Sequence, residues 1–369
     1  MITFLDAREK ILKHAEKLSA RELSLSEITG HVLADDIHAP IDLPPFDNSA
    51  MDGFAINSKE IVDGGSAEIT QIIRAGDVPE PLIKKTCAKI MTGAMLPDAA
   101  NTVAPIEDVV AREDVVTFNK PFKNGQHVRY KGEDVKKGEL IVSGNTVINS
   151  RIIALLAALG FKKVPVFKYP SVGIITTGSE LQAPGTSLSQ GKIFDSNSET
   201  LLAALKEIGI YAEVMRIRDD REKILWTIRE SLERLDILIT IGGISVGDCD
   251  YVKEAFDRLD VKEIFHKVAI KPGKPLYFGI AGDTKLVFGL PGNPISSLIT
   301  FHQFVRPAIY KMMGKNYRRQ IKHAIATCPL KGSKDKTDFL RGISKEENGL
   351  LYVGSAGIQG AAMLKPLTL

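Results

Sequence analysis

Residues 236–241 (DILITI) form an almost wholly apolar run, rich in β-branched side chains, that breaks directly into Gly242 and Gly243. A run of this length and composition fits a β-strand buried on both faces, as in parallel sheets covered by helices. The chain continues as ISVGDCDY over 244–251, with a small hydroxyl at Ser245, then Gly247, and carboxylates at Asp248 and Asp250. A strand-to-loop switch of this kind sets backbone N–H groups and carboxylates at the carboxyl end of a sheet, where open α/β folds bind ligands. Glycines let the main chain approach an anion, and an Asp beside them can hold a bridging cation. Taken alone, the stretch would also be explained by a tight turn capped by aspartates.

The segments around it repeat the pattern. Strands are expected at 171–176, 211–217, 236–241, 264–268, 276–280 and 285–289. Helices are expected at 199–208, 221–234 (capped by Asp220), 251–259 and, longest, 294–313. Strands alternating with helices of this length imply a mainly parallel, helix-covered sheet.

The flanks read differently. Apolar periodicity predicts a helix over 6–18, and Ser24 with Glu27 reads as a capping box opening a helix over 24–34. From 43 to about 146, short β-like runs (67–74, 89–91, 115–118) alternate with Gly, Pro, Asn and Asp turns, the texture of an inserted β domain. Residues 150–160 (SRIIALLAALG) read as a buried connecting helix with Ser150 as N-cap and Gly160 as C-cap. Residues 316–369 return to short strand-like runs, a second small β domain.

Composition narrows the function classes. The 48 basic residues nearly cancel the 45 acidic ones, which gives no case for a nucleic-acid or membrane partner. Cys87, Cys249 and Cys328 lie far apart with no C-x-x-C, against a thiolate metal site and in keeping with a reducing cytoplasm. The longest apolar run, 152–161, is about ten residues and too short to span a bilayer. The seven histidines form no H-x-x-x-H set and no Ser-His-Asp or Cys-His pair stands out, against zinc or covalent catalysis.

In the α/β series the unusual polar residues follow strands: Thr176 to Glu180, Asp195 to Asn197, Asp219 and Asp220, the 242–250 loop, Lys267, Lys271 and Lys274, and GLPGNP at 289–294. Their shared position makes a ligand cleft at the carboxyl rim the economical reading. Carboxylates at Glu180, Asp195, Asp220, Asp248 and Asp250 crowd favourably only with a cation or lysines present, and all-oxygen ligands favour Mg²⁺. Lys271 and Lys274, separated by Pro-Gly, suit an oxyanion or pyrophosphate, although a solvated surface also explains them. Asn197 and Asn293 fit turn or capping roles equally well. In the inserted domain Asp47, Asn48, Ser49 and Asp52, then 91–93 (MTG), then 129–134 (RYKGED) gather polar groups that turn chemistry alone would explain. The basic residues from Lys315 to Arg341 read as a solvated face, with Arg341 set apart as an anion contact.

Assembled in order, LPPFDNSAMDGFA, IMTGAMLP, RYKGED, TTGSELQ, IFDSN, RDD, TIGGISVGDCDY, AIKPGKP and GLPGNP resemble the molybdopterin molybdenumtransferase family, the MoeA type also found as the gephyrin E domain. The likeness runs through nearly the whole chain. It implies a multidomain α/β plus β protein: a discontinuous helical and extended dimerisation region (1–42 and 147–168), an inserted β domain (43–146), a central MogA-like α/β domain that binds molybdopterin (169–315), and a C-terminal β domain (316–369). It further implies a homodimer whose cleft is shared between the inserted domain of one subunit and the α/β domain of the other.

By the same resemblance, adenylylated molybdopterin and molybdate are converted to molybdenum cofactor and AMP with Mg²⁺. Lys271, Lys274 and Arg341 would seat molybdate, with Pro275 shaping the turn. Asp220, Ser245 and Asp250 would serve the metal ion and pyrophosphate, Asp220 and Asp250 as metal ligands. Glu180 would lie at the pterin cleft, and Asp195, Asn197, Gly242, Gly243, Asp248, Lys267, Pro291, Asn293 and Pro294 would bind substrate. Asp52, Thr92, Arg129 and Asp134 would close the site from the partner subunit. Contacts with a molybdopterin adenylyltransferase and with acceptor molybdoenzymes are expected. Two departures stand out: Ala361 and Ala362 follow Gln359-Gly360 where the family often carries Ser, and the chain ends within an expected strand, so that the C-terminal domain would lack a strand or two. The competing readings are an adenylyltransferase using ATP, which would lack the inserted domain, and a non-catalytic assembly scaffold.

Overall fold

A computed structural model describes residues 1–61, 63–243, 251–317 and 321–368. The chain divides into two compact units: residues 1–22, 30–34 and 165–369 in one, 23–29 and 35–164 in the other.

The first unit is built on six strands: β1 (Val172–Thr177), β2 (Glu213–Ile217), β3 (Ile237–Ile241), β4 (Lys262–His266), β5 (Tyr277–Ala281) and β6 (Lys285–Leu290), in spatial order β2-β1-β3-β6-β5-β4. Strands β2, β1, β3 and β6 pair in parallel, and β5 runs against both β6 and β4. Five carboxyl ends therefore share one rim. The period-2 pattern sends Ile237, Ile239 and Ile241 to one face and Leu238 to the other, and every residue of β3 is buried. Each such Ile contributes roughly 1.5–3 kcal/mol by leaving water. Ser196–Lys206 and the helices after residue 294 cover the first face; Arg221–Arg234 and Tyr251–Arg258 cover the second.

The expected long helix over 294–313 is interrupted. It runs as Pro294–Thr300, one wide π turn at Phe301–Val305, and Arg306–Met312. Arg306 N–H reaches back five residues to the Phe301 carbonyl. Pro307 follows at once and has no N–H for the regular ladder, which accounts for the widened turn.

The N-terminal helix spans Phe4–His14, capped by Thr3, whose hydroxyl accepts the Asp6 N–H at 3.2 Å. It buries Phe4, Ala7 and Ile11 in the α/β core, with the Phe4 ring 5.4 Å from Phe304 and 5.3 Å from Phe339. In the C-terminal part, Leu350–Ser355 lies between Ile325–Ala326 and Gly342–Glu347, while Thr337–Asp338 pairs in parallel with Ile270–Lys271. The expected final strand is a single 3-10 turn at Lys365–Leu367, where Pro366 removes a ladder donor.

The second unit holds a six-stranded mixed sheet in the order Thr102–Pro105, Gly53–Ile56, Thr86–Ile90, Ser66–Ile73, Val115–Phe118, Val109–Arg112. Phe54, Ile56, Cys87, Val116 and Phe118 fill its core. The expected helix over 24–34 does not form. Glu27 does bond the Ser24 hydroxyl and N–H, at 2.5 and 3.3 Å, yet Leu25 N–H bonds the Lys162 carbonyl and Gly30 turns at φ +79°. Those two local contacts cannot offset the cost of a helical nucleus. The connecting helix is Ser150–Ala158, with Asn149 rather than Ser150 as its cap; Leu156 alone within it is buried in this chain.

Candidate functional site

Where β1 ends, Gly178 adopts φ +151° and the Glu180 carboxylate folds back over it: a Cβ there would lie 2.7 Å from either carboxylate oxygen. Thr177, Glu180, Asn197, Gly242 and Asn293 line a cleft of about 300 Å³ at the carboxyl rim, with Leu181, Ile193 and Phe194 as its apolar side. Gly242 (φ +85°) lines it and Gly243 (φ +63°) follows, where a Cβ would meet Val252 at 2.6 Å. That close approach and the left-handed backbone explain the glycine pair. Ser245, Asp248 and Asp250 lie outside the described residues.

Asp195 lines the cleft, but its carboxylate is 2% exposed and committed to the protein. It caps the 196–206 helix through Ser198 N–H at 3.0 Å, and it also accepts from the Ser198 hydroxyl, Thr176 and Arg216 Nε at 2.5, 3.2 and 3.0 Å. Four bonds leave no reason to assign it a ligand; its task is to hold the helix. Asn197 is different. Its amide donates to the Gly292 carbonyl at 2.7 Å, while Oδ1 is buried with no partner among the described residues. Asn293 occupies the N-cap position of Pro294–Thr300 without a side-chain capping bond, and Pro294 opens the helix; Pro291 is buried.

Asp220 caps the 221–234 helix, Oδ1 accepting from Lys223 N–H at 3.0 Å, and Asp219 accepts Ser179 N–H at 2.8 Å. The second oxygen of Asp220 makes no hydrogen bond among the described residues, so the capping role leaves one hard oxygen for Mg²⁺. Such an ion is held by one or two carboxylates with water and substrate phosphate, which this donor fits. No group of three His, Cys, Asp or Glu gathers around a metal position among the described residues.

The lysines lie elsewhere on the rim. Lys267 follows β4 in a left-handed conformation (φ +72°), and Lys271 and Lys274 are exposed on either side of Pro272-Gly273, with Pro275 half-buried. Lys271 opens on a second hollow, of about 410 Å³, whose other walls are Pro329, Leu330, Lys331, Ser333, Asp338 and Gln359. Asp338 accepts from Ser333 N–H and Oγ; these bonds, opposed by some burial and aided by Lys271 and Lys336, hold its carboxyl below the usual range.

Arg341, expected to seat molybdate, is occupied. Its guanidinium donates to the carbonyls of Gly360 and Met363 at 3.1 Å and of Ile358 at 2.9 Å, and Nε reaches Gln359 Oε1 at 3.4 Å. Gln359 in turn accepts Arg341 N–H and donates to the Arg341 carbonyl, both at 2.9 Å. Arg341 is a clamp on the 358–363 loop. That loop carries the two alanines: Ala361 accepts Ile295 N–H at 3.0 Å, and Ala362 borders the smaller cleft.

In the second unit, Asp52 Oδ1 accepts from both Thr92 N–H and Thr92 Oγ1, at 2.6 and 2.7 Å. These bonds outweigh a small burial effect and lower the Asp52 pKa. Arg129 stands exposed opposite Asn48 in a two-residue antiparallel ladder, and Asp134 is exposed where its N–H bonds the Leu43 carbonyl at 3.1 Å.

The sequence pattern assigned no site role to Arg216, Ser198, Gln359, Asp338 or Lys331. Lys331 sat inside the basic run read as a solvated face; nothing local marks the Arg341–Gln359 pairing, which spans eighteen residues. The acceptor-lined cleft can receive a donor-bearing ring, and the cationic hollow an anionic group.

Residues 2–160 match the MoeA N-terminal region (domain I and II), and residues 173–311 match a probable molybdopterin binding domain. A molybdopterin molybdenumtransferase of Haemophilus influenzae is 35% identical, covering 98% of this chain and 91% of that protein. Its Staphylococcus epidermidis counterpart is 37% identical over 85% of this chain and 76% of its own. The crystal structure of the molybdopterin biosynthesis MoeA protein from Pyrococcus horikosii superposes with a TM-score of 0.81 at 31% identity, covering 96% of this chain and 89% of that one. The fold, both matched regions and identity along nearly the full length lead to one conclusion: the chain belongs to the molybdopterin molybdenumtransferase family.

Proposed function

We propose that this protein transfers molybdenum from molybdate to adenylylated molybdopterin and releases AMP, in molybdenum cofactor biosynthesis. The match of residues 2–160 to the MoeA N-terminal region carries this reading over adenylylation, which needs only the α/β domain. It weighs likewise against a pure scaffold, because the second unit brings an ordered polar pair, Asp52 with Thr92, rather than a bare binding face.

The chemistry divides over the residues described. Glu180 and Asn197 Oδ1 offer acceptors to the amino and ring N–H groups of the pterin, and Phe194 and Ile193 offer it an apolar wall. Lys271 and Lys274 attract the incoming dianion on a turn stiffened by Pro272 and Pro275. Asp220, with Asp250, would hold Mg²⁺, which when bound neutralises the pyrophosphate and eases departure of AMP. Asp52, Thr92, Arg129 and Asp134 would complete the site across a homodimer. Working in the cytoplasm, the protein would receive substrate from a molybdopterin adenylyltransferase and pass its product to acceptor molybdoenzymes. The dispersed cysteines support that location.

The test is AMP release from adenylylated molybdopterin with Mg²⁺, with and without molybdate. Molybdate-dependent release that falls in Lys271→Ala is expected. Pyrophosphate release from ATP would transfer the case to the adenylyltransferase, and pterin binding by a dimer without any turnover would favour the scaffold.

A further inference from the structure

The larger hollow holds two cations and one carboxylate, Asp338, whose oxygens are bonded to Ser333. Lys271 and Lys331 both line it, and neither ammonium makes a hydrogen bond or ion pair among the described residues. Arg341 does not line it; its guanidinium is turned onto the carbonyls of the 358–363 loop. A dianion drawn to the Lys271–Lys274 turn gains a further charge-assisted partner from a cation on the facing wall of the hollow, where Lys274 does not reach.

The residues around Lys331 are fixed in a way that an idle surface loop would not require. Asp338 holds both Ser333 N–H and Ser333 Oγ, closing the loop that starts at Lys331. Asp338 itself sits in register with Lys271 on the short parallel ladder, and Phe339 N–H bonds the Lys271 carbonyl at 2.8 Å. One carboxylate thus ties the Lys331 loop to the backbone that carries Lys271. With its oxygens spent on Ser333, Asp338 orients the loop without forming an ion pair with either lysine.

We propose that Lys331 is a further cation of the oxyanion seat, binding molybdate with Lys271 and Lys274 in the place that Arg341 would otherwise fill, and that Asp338 is the residue positioning it. This rests on the transferase reading above for the identity of the anion. The seat itself is a property of the hollow, which Lys271, Lys331 and the Ser333 loop line together.

The experiment uses the full chain and two readouts. In AMP release, Lys331→Ala raises the KM for molybdate about tenfold and leaves the rate at saturating molybdate and the KM for adenylylated molybdopterin unchanged. Lys331→Arg restores most of the affinity. Asp338→Ala raises the molybdate KM with Lys331 still present, and Arg341→Ala lowers thermal stability without a selective effect on molybdate. Calorimetric titration with molybdate alone, repeated with tungstate and with sulfate, gives the readout that needs no turnover: the tetrahedral dianion binds the wild type and binds Lys331→Ala about tenfold more weakly. A wild-type molybdate KM and unchanged titration in a folded Lys331→Ala protein would overturn the assignment and leave the transferase reading intact. Absence of AMP release from the wild type, with Lys331-dependent dianion binding retained, would overturn the transferase reading and leave the seat.

Discussion

Asp52 and Thr92, forty residues apart, are joined by two hydrogen bonds on a single carboxylate oxygen, from the Thr92 amide at 2.6 Å and its hydroxyl at 2.7 Å. The second oxygen of Asp52 makes no hydrogen bond among the described residues. Because the bonds depress the carboxyl pKa, the interaction is present above the unfolded pKa, near 4, and is lost as pH falls through the lower folded value. Thr92→Ala removes the hydroxyl bond, so the Asp52 pKa rises toward the ordinary carboxylate value in a carbon-13 titration. An unchanged titration would mean that the amide bond alone sets it. Thr92→Ser, which retains the hydroxyl, keeps the depressed value.

Asp220 has two separable tasks, capping a helix with Oδ1 and offering its other oxygen at the rim. Asparagine caps as well as aspartate but carries no charge. Asp220→Asn therefore leaves the melting temperature within about 1 °C and raises the Mg²⁺ concentration for half-maximal AMP release about tenfold, whereas Asp220→Ala lowers both stability and Mg²⁺ affinity. Equal Mg²⁺ dependence in Asp220→Asn and wild type would remove this residue from the metal site.

Asp195 is predicted to matter for folding more than for substrate. Its buried carboxylate serves Ser198, Thr176 and Arg216 at once, and removing it leaves the partly buried Arg216 without its innermost partner. Asp195→Ala should cost about 3 kcal/mol through the lost cap and the broken pair, seen as a fall of several degrees in melting temperature. A variant as stable as the wild type but slow in turnover would reverse this assignment.

Arg341→Ala frees the carbonyls of Ile358, Gly360 and Met363 together. The expected loss is about 1–2 kcal/mol, confined to the C-terminal part, with faster amide exchange across residues 357–364. Uniform protection in that stretch would show that the clamp is dispensable.

The β1–β3 core and the 221–234 helix were legible because their determinants are local. A β-branched apolar run buries both faces only as an inner strand, and Asp220 announces a helix start by a bond three residues long. The glycine pair after β3 was legible for a similar reason, since its left-handed backbone needs residues without a Cβ. The capping box at Ser24 and Glu27 shows the limit: its bonds are made, and the helix is absent, because Leu25 finds a distant carbonyl at Lys162.

What the sequence determined by itself was the family, through the resemblance of its motifs, and the alternation of strand and helix with polar residues concentrated after strands, which follows from periodicity and backbone chemistry over a few residues. What only the tertiary structure decided was how those polar groups are employed. Asp195 and Arg341 looked like ligand contacts and are spent on a helix end and a loop; Lys331 looked like solvated surface and faces the hollow beside Lys271. The physical reason is that a charged side chain is assigned by the partners that reach it, and those partners come from segments that neither composition nor spacing brings together.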